Sequence, residues 1–128
     1  MKEFVLIFRN KSDQPPPSPE EMQQIMQAWM DWMGGLAAQS QLVSQGNRLS
    51  SADAKIVKPG NIVTDGPYTE IKEFISGFTI VRASSVENAA EIAKGCPIFK
   101  VGGNVEVREV IQMNQKVSAD ERELSFKN

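Results

Sequence analysis

"EFISGFTIVRASSVENAAEIA", residues 73–93, holds a strand and a helix back to back, and the join between them decides the fold. Over residues 73–83 the side chains alternate: Phe74, Phe78 and Ile80 fall on one face, Ile75, Gly77, Thr79 and Val81 on the other. Then the period changes. Ser84-Ser85-Val86-Glu87 has capping-box spacing, with a hydroxyl to take an orphan backbone N–H and a carboxylate three residues on to return the bond. The helix it opens carries Val86, Ala89, Ala90 and Ala93 on one face, small enough to lie close against a sheet. Lys94-Gly95-Cys96-Pro97 stops it, "KVGGN" at 100–104 turns the chain, and "NVEVREVIQM" at 104–113 is the last strand.

A similar unit precedes it. Residues 3–9, "EFVLIFR", form a strand with Phe4, Leu6 and Phe8 on one side and Val5 and Ile7 on the other, apolar on both. The linker "NKSDQPPPSPEE", residues 10–21, contains an extended Pro-Pro-Pro run and ends as a helix start: Ser18 as N-cap, Pro19 at the first helical position, Glu21 closing the box. Met22, Ile25, Met26, Trp29, Met33 and Leu36 make the apolar stripe of that helix, with Met30 and Trp32 on its flanks. Gly34-Gly35 weaken it by about 1 kcal/mol each and predict a kink or a close backbone contact. Further helix is expected through "LAAQSQLVSQ", residues 36–45, with Gly46-Asn47 as the stop. "AKIVKPGNIVTD", residues 54–65, reads as a hairpin around Pro59-Gly60-Asn61.

The order is β-α-β(hairpin)-β-α-β. It predicts an α+β fold, a ferredoxin-like βαββαβ sandwich with one antiparallel sheet and both helices on one face. The first and the long internal strand are apolar on both sides, so the uncovered sheet face is expected to pack against a second copy, giving a homodimer. One domain is expected over residues 1–113, followed by a polar tail, 114–128, as a short helix anchored by Leu124 and Phe126.

Composition excludes more than it identifies. The chain of 128 residues has 41% hydrophobic and 23% charged content, ordinary for a globular domain. No apolar run approaches the roughly 20 residues of a membrane span, so no membrane association is expected. The N-terminal apolar run follows acid and ends at Arg9, which fits a first strand better than a signal peptide. A net charge of −2 without a basic cluster argues against nucleic acid. One cysteine fits a reducing cytoplasm. There is no histidine, which removes the commonest general base, the Ser/His and Cys/His nucleophile pairs, and the usual zinc and iron sites. No metal or other cofactor is expected.

"TDGPYTEIKEFISGFTIVRASSVENAAEIAKGCPIFKVGGNVEVREV", residues 64–110, resembles the YCII-related proteins of the DGPF-motif type. In these a D-G-P-aromatic turn leads into a Gly-aromatic strand and a helix ending before proline. The Trp29-x-x-Trp32 helix and "QGNRL" at 45–49 resemble one branch of that group, and the likeness extends over residues 3–113. The resemblance implies a ferredoxin-like fold dimerised as a dimeric α/β barrel, in small bacterial cytoplasmic proteins whose activities are mostly unestablished. For the better-characterised kind of member it implies a His/Asp pair in a cleft beside the sheet. This sequence departs there: the helix stretch where that histidine would fall reads "WMDWMGGL", residues 29–36. Asp65 of the DGP turn is the one acidic position that matches.

For Asp65 two roles stay open. Asp before Gly favours a turn, but an Asx-turn needs the backbone N–H two residues on, and that residue is Pro67. A buried aspartate has its pKa raised toward neutrality, as a general acid or base without histidine requires. Whether the protein is an enzyme is left open. The expected function is binding of a small molecule in a cleft between the first helix and the sheet, with catalysis by Asp65 as the alternative. The candidate ligand-binding residues are Arg9 to orient an anion, Trp32 and Tyr68 as walls, and Ser76 as a hydroxyl. Cys96, at a helix C-terminus with no histidine to activate it, is read as structural.

Overall fold

A computed structural model describes residues 1–11, 13, 15–65 and 73–113. The DGP turn beyond Asp65, Tyr68 and the tail helix expected around Leu124 and Phe126 lie outside the described residues. The elements run β1 (Lys2–Lys11), α1 (Pro19–Ala38), β2 (Leu42–Ser44), β3 (Lys55–Lys58), β4 (Ile62–Asp65), β5 (Glu73–Ala83), α2 (Val86–Ala93), a 3-10 helix (Pro97–Val101) and β6 (Asn104–Glu109). The sheet order is β2-β5-β1-β6, antiparallel throughout, and the fold is α+β and ferredoxin-like.

The core lies between the sheet and the two helices. Phe4, Leu6 and Phe8 of β1 and Val81 and Ala83 of β5 point to it, against Leu36 of α1, Ala89 and Ala93 of α2, and Cys96 and Ile98 beyond. Both helices thus share one sheet face. The opposite face pairs Val5 with Ile80 and Ile7 with Phe78, all half-buried, and no described helix covers it.

Several elements differ from the sequence expectation. Helix α1 ends at Ala38, and Leu42–Ser44 is the edge strand β2 where more helix was expected. The stop is a Schellman turn: the Gln41 N–H donates to the Leu36 carbonyl (2.9 Å) and the Ser40 N–H to the Ala37 carbonyl (3.1 Å). Ser40 takes the left-handed conformation, φ 58°, that glycine usually supplies, so the usual sequence signal is missing. Helix α1 also runs on through Gly34 and Gly35, where an added Cβ would meet nothing within 4 Å on either residue. Ser18 caps α1 as expected, accepting from the Glu21 N–H (3.1 Å).

The cap of α2 is one residue later than the Ser84/Glu87 spacing suggests. Ser85 accepts from the Asn88 N–H (3.1 Å), and Asn88 Oδ1 returns to the Ser84 N–H (3.2 Å). Ala89 and Ala93 lie in the core as expected, whereas Val86, expected on the same face, is exposed. The hairpin forms as expected around Pro59–Asn61, but as a separate two-stranded sheet rather than part of the main one. Strand β6 stops at Glu109, short of the expected Met113, after which the Val110 N–H donates to the Glu3 carbonyl.

The correction that matters for the site is in β5. Phe8 pairs with Gly77 but Arg9 pairs with Ile75, so Ser76 is an extra residue in a β-bulge. A bulge flips the alternation beyond it. Phe74, opposite Asn10, therefore belongs to the helix face with Gly77 and Thr79, not with Phe78 and Ile80 as strict alternation gives.

Candidate functional site

A cleft of about 820 Å³ lies between α1 and the β1/β5 end of the sheet. One wall is the apolar stripe of α1, where Met22, Ile25, Met26, Trp29, Met30 and Met33 line it. That stripe is only partly covered: Met22, Met26 and Met30 are 42%, 58% and 66% exposed, although the same stripe further on buries Leu36. The other wall is the sheet, with Phe8, Phe74 and Thr79, and the 3-10 helix adds Ile98 and Val101. Pro15, Pro16 and Pro17 of the linker close one side. The floor is braced by aromatic contacts: the rings of Phe8 and Trp29 meet edge to face at 5.1 Å, in the offset geometry their quadrupoles favour.

The bulge sets the polar end. Ser76 Oγ donates to Asn10 Oδ1 (2.8 Å) and lies 3.3 Å from the Phe8 carbonyl oxygen. The segment 45–48 is pinned against β5 by three bonds and braced by a fourth, local one. The Thr79 hydroxyl donates to the Gln45 carbonyl, the Phe78 N–H to the Asn47 carbonyl, the Leu49 N–H to the Ser76 carbonyl, and the Gly46 N–H to Ser44 Oγ. Two glycines permit this close approach. An added Cβ on Gly77 would sit 2.8 Å from the Asn47 carbonyl oxygen, and Gly46, at φ 67°, would place one 1.8 Å from the Phe78 carbonyl oxygen. Arg48 is thereby bridged to Gly77 and lines the cleft beside Asn10, Lys11 and Ser76. No carboxylate is among the described lining residues.

The structure brings one of the expected ligand residues, Ser76, into this cleft and sets three others elsewhere or leaves them undescribed. Arg9 projects from the opposite sheet face, where its Nη2 meets Glu106 Oε1 at 2.8 Å. Its parity in β1 puts it with Val5 and Ile7, away from Phe8. Trp32 packs inward, edge-on to Phe8 (6.3 Å) and Trp29 (5.7 Å), with its Nε1 against the Gly95 backbone, and is not among the lining residues. The wall is Trp29 instead, one turn earlier on α1. Tyr68 is outside the described residues.

Asp65 ends β4, directly opposite Lys55 of β3, and the two side chains form an ion pair. Its side chain is 88% exposed and does not line the cleft, so it is not placed to act on a ligand bound there. Among the described residues, Cys96 is the one group whose ionisation burial shifts strongly. Desolvation pushes its thiol up to about 12, with partial relief from a hydrogen bond with the Ile98 backbone, and this is the chemistry of an inert core thiol. Among the described residues no group of three or more His, Cys, Asp or Glu side chains could hold a metal ion, and no helix is long and apolar enough to cross a membrane.

Asn10, Arg48 and Phe74 are cleft residues that the sequence did not flag. The Gly77 within an otherwise apolar strand is the signal that could have found them, since glycine inside a strand marks a bulge or a close backbone approach. Comparison with protein families matches the YCII-related domain over residues 3–114. Comparison with curated proteins gives no match.

Proposed function

The chain belongs to the YCII-related domain family, and from that premise we propose that it is a cytoplasmic homodimer that binds a small molecule in the cleft between α1 and the sheet. The observation that carries the proposal is the cleft itself. Its volume of about 820 Å³ falls in the range of small-molecule sites, and it is walled by apolar and aromatic side chains with a few polar groups gathered at one end. Methionines suit this role because their unbranched thioether chains adapt to a ligand's outline. Pairing through the uncovered sheet face is supported by the Val5–Ile80 and Ile7–Phe78 cross-strand pairs. A cytoplasmic location is supported by the lone, buried, reduced cysteine.

The catalytic alternative, with Asp65 as general acid or base, draws no support from its exposed position beside Lys55. A thermal-shift screen of a metabolite library distinguishes the two. Ligands that stabilise the protein should lose their effect in Met30→Trp, which fills the cleft mouth from an exposed position, and keep it in Asp65→Asn. Hits indifferent to Met30→Trp would move the site elsewhere. Hits abolished by Asp65→Asn at unchanged melting temperature would restore the aspartate to the site.

A further inference from the structure

The cleft's two ends differ in chemistry, and that difference selects a ligand. We infer that it takes an amphipathic anion: a flat or extended apolar body against the α1 methionines and Trp29, with a carboxylate at the Asn10/Ser76/Arg48 end. This rests on the cleft being the ligand site proposed above.

Three observations carry the inference. First, the polar end offers donors. The Ser76 hydroxyl donates to Asn10 Oδ1, which orients the amide and leaves its Nδ2 hydrogens to donate. Arg48 adds a guanidinium at the same end. Arg48 has no ion-pair partner among the described residues. Second, no carboxylate is among the described lining residues, so none of them neutralises that cation or competes with a ligand's negative charge. Donors beside an apolar, low-dielectric wall make strong charge-assisted bonds to an anion and poor ones to a neutral hydroxyl. Third, the arrangement is built into the backbone. The bulge at Ser76 and the close approach of Asn47 over Gly77 fix the backbones of Asn10, Ser76 and Arg48 side by side before any ligand arrives, so less ordering entropy remains to be lost. An uncharged apolar molecule would leave the donors unsatisfied, and a small inorganic anion would leave the methionine wall bare.

The test compares 2-naphthoate with 2-naphthalenemethanol, probes of similar shape differing in charge, by calorimetric titration of the full chain. The naphthoate should bind roughly tenfold more tightly or better. Arg48→Gln should bring the two affinities within about threefold by weakening the acid alone. Asn10→Asp keeps an acceptor for Ser76 but adds a negative charge, and it should abolish naphthoate binding while sparing the alcohol. Equal binding of both probes, or an acid preference untouched by Arg48→Gln and Asn10→Asp alike, would overturn the ligand class and leave the cleft standing. Binding of neither probe, together with no stabilising hit from the library, would overturn the cleft itself. Chloride and inorganic phosphate controls should not displace the naphthoate at millimolar concentration; full displacement would reduce the site to a simple anion site and sink the inference.

Discussion

Replacing glycine by alanine at two positions near the cleft should change stability in opposite directions. At Gly46 the new methyl group would lie 1.8 Å from the Phe78 carbonyl oxygen, where real Cβ atoms do not approach within 3.0 Å, and the backbone holds φ 67°. The left-handed conformation alone costs an alanine about 1–2 kcal/mol. Relieving the clash means withdrawing segment 45–48, and three bonds hold it to β5: Thr79 Oγ1 to the Gln45 carbonyl (3.1 Å), Phe78 N–H to the Asn47 carbonyl (3.2 Å) and Leu49 N–H to the Ser76 carbonyl (2.8 Å). Losing two at about 1 kcal/mol each, with the fully buried Thr79 hydroxyl among the groups at risk, gives a total of about 3–5 kcal/mol. That is a large share of a typical domain's stability. At Gly34 the added Cβ meets nothing within 4 Å, the residue sits inside α1, and alanine should gain up to ~1 kcal/mol from helix propensity. Urea unfolding followed by far-ultraviolet circular dichroism at fixed protein concentration measures both. A Gly46→Ala protein within about 1 kcal/mol of the parent would refute the account of the segment, and with it the account of how Asn10, Ser76 and Arg48 are held together.

Other perturbations test separate parts of the structure. Phe8→Ala removes the ring that Trp29 and Trp32 both meet edge-on and should cost about 3–5 kcal/mol by thermal or urea unfolding, with a red shift in tryptophan emission. Asp65→Asn breaks an exposed pair and should change stability by less than about 1 kcal/mol; a much larger loss would show the hairpin depends on it. The Cys96 thiol, with a folded-state pKa raised from 9.0 to about 12, stays protonated in the fold where the unfolded chain has already ionised. Its contribution to stability is therefore present below pH 9 and declines by about 1.4 kcal/mol per unit as pH rises from 9 toward 12. Cys96→Ala should flatten that part of the pH profile, and equal slopes in parent and variant would contradict it. Ile80→Glu places a charge on the uncovered sheet face and should convert a dimer to a monomer in light scattering; an unchanged mass would remove that face from the interface.

Much of the fold was legible because it follows from periodicity and caps. The alternation in residues 3–9, the Ser18-Pro19-x-Glu21 start and the methionine stripe each depend on neighbours a few positions apart, and each forms where expected. The failures share a cause. Ser40 does the work of a C-terminal glycine, so the end of α1 carried no usual mark, and Leu42–Ser44 became a strand because Leu42 finds Val81 and Arg82 donates to the Gln41 carbonyl across the fold. Such pairing is non-local, and local propensity cannot report it.

The amino-acid sequence by itself determined most element types, the family likeness and the absence of histidine chemistry, since these rest on residue identity and short-range spacing. Only the tertiary structure decided the site. Arg9 and Asn10 are adjacent in the chain, yet strand pleating sends the first to the uncovered face beside Glu106 and the second into the cleft beside Ser76. Ser76 itself reaches that cleft because one extra residue is accommodated between Gly77 and Ile75, and a bulge becomes visible only when the partner strand's register is known. Asp65, prominent in the sequence, is taken to the solvent by a hairpin separate from the main sheet, where Lys55 meets it.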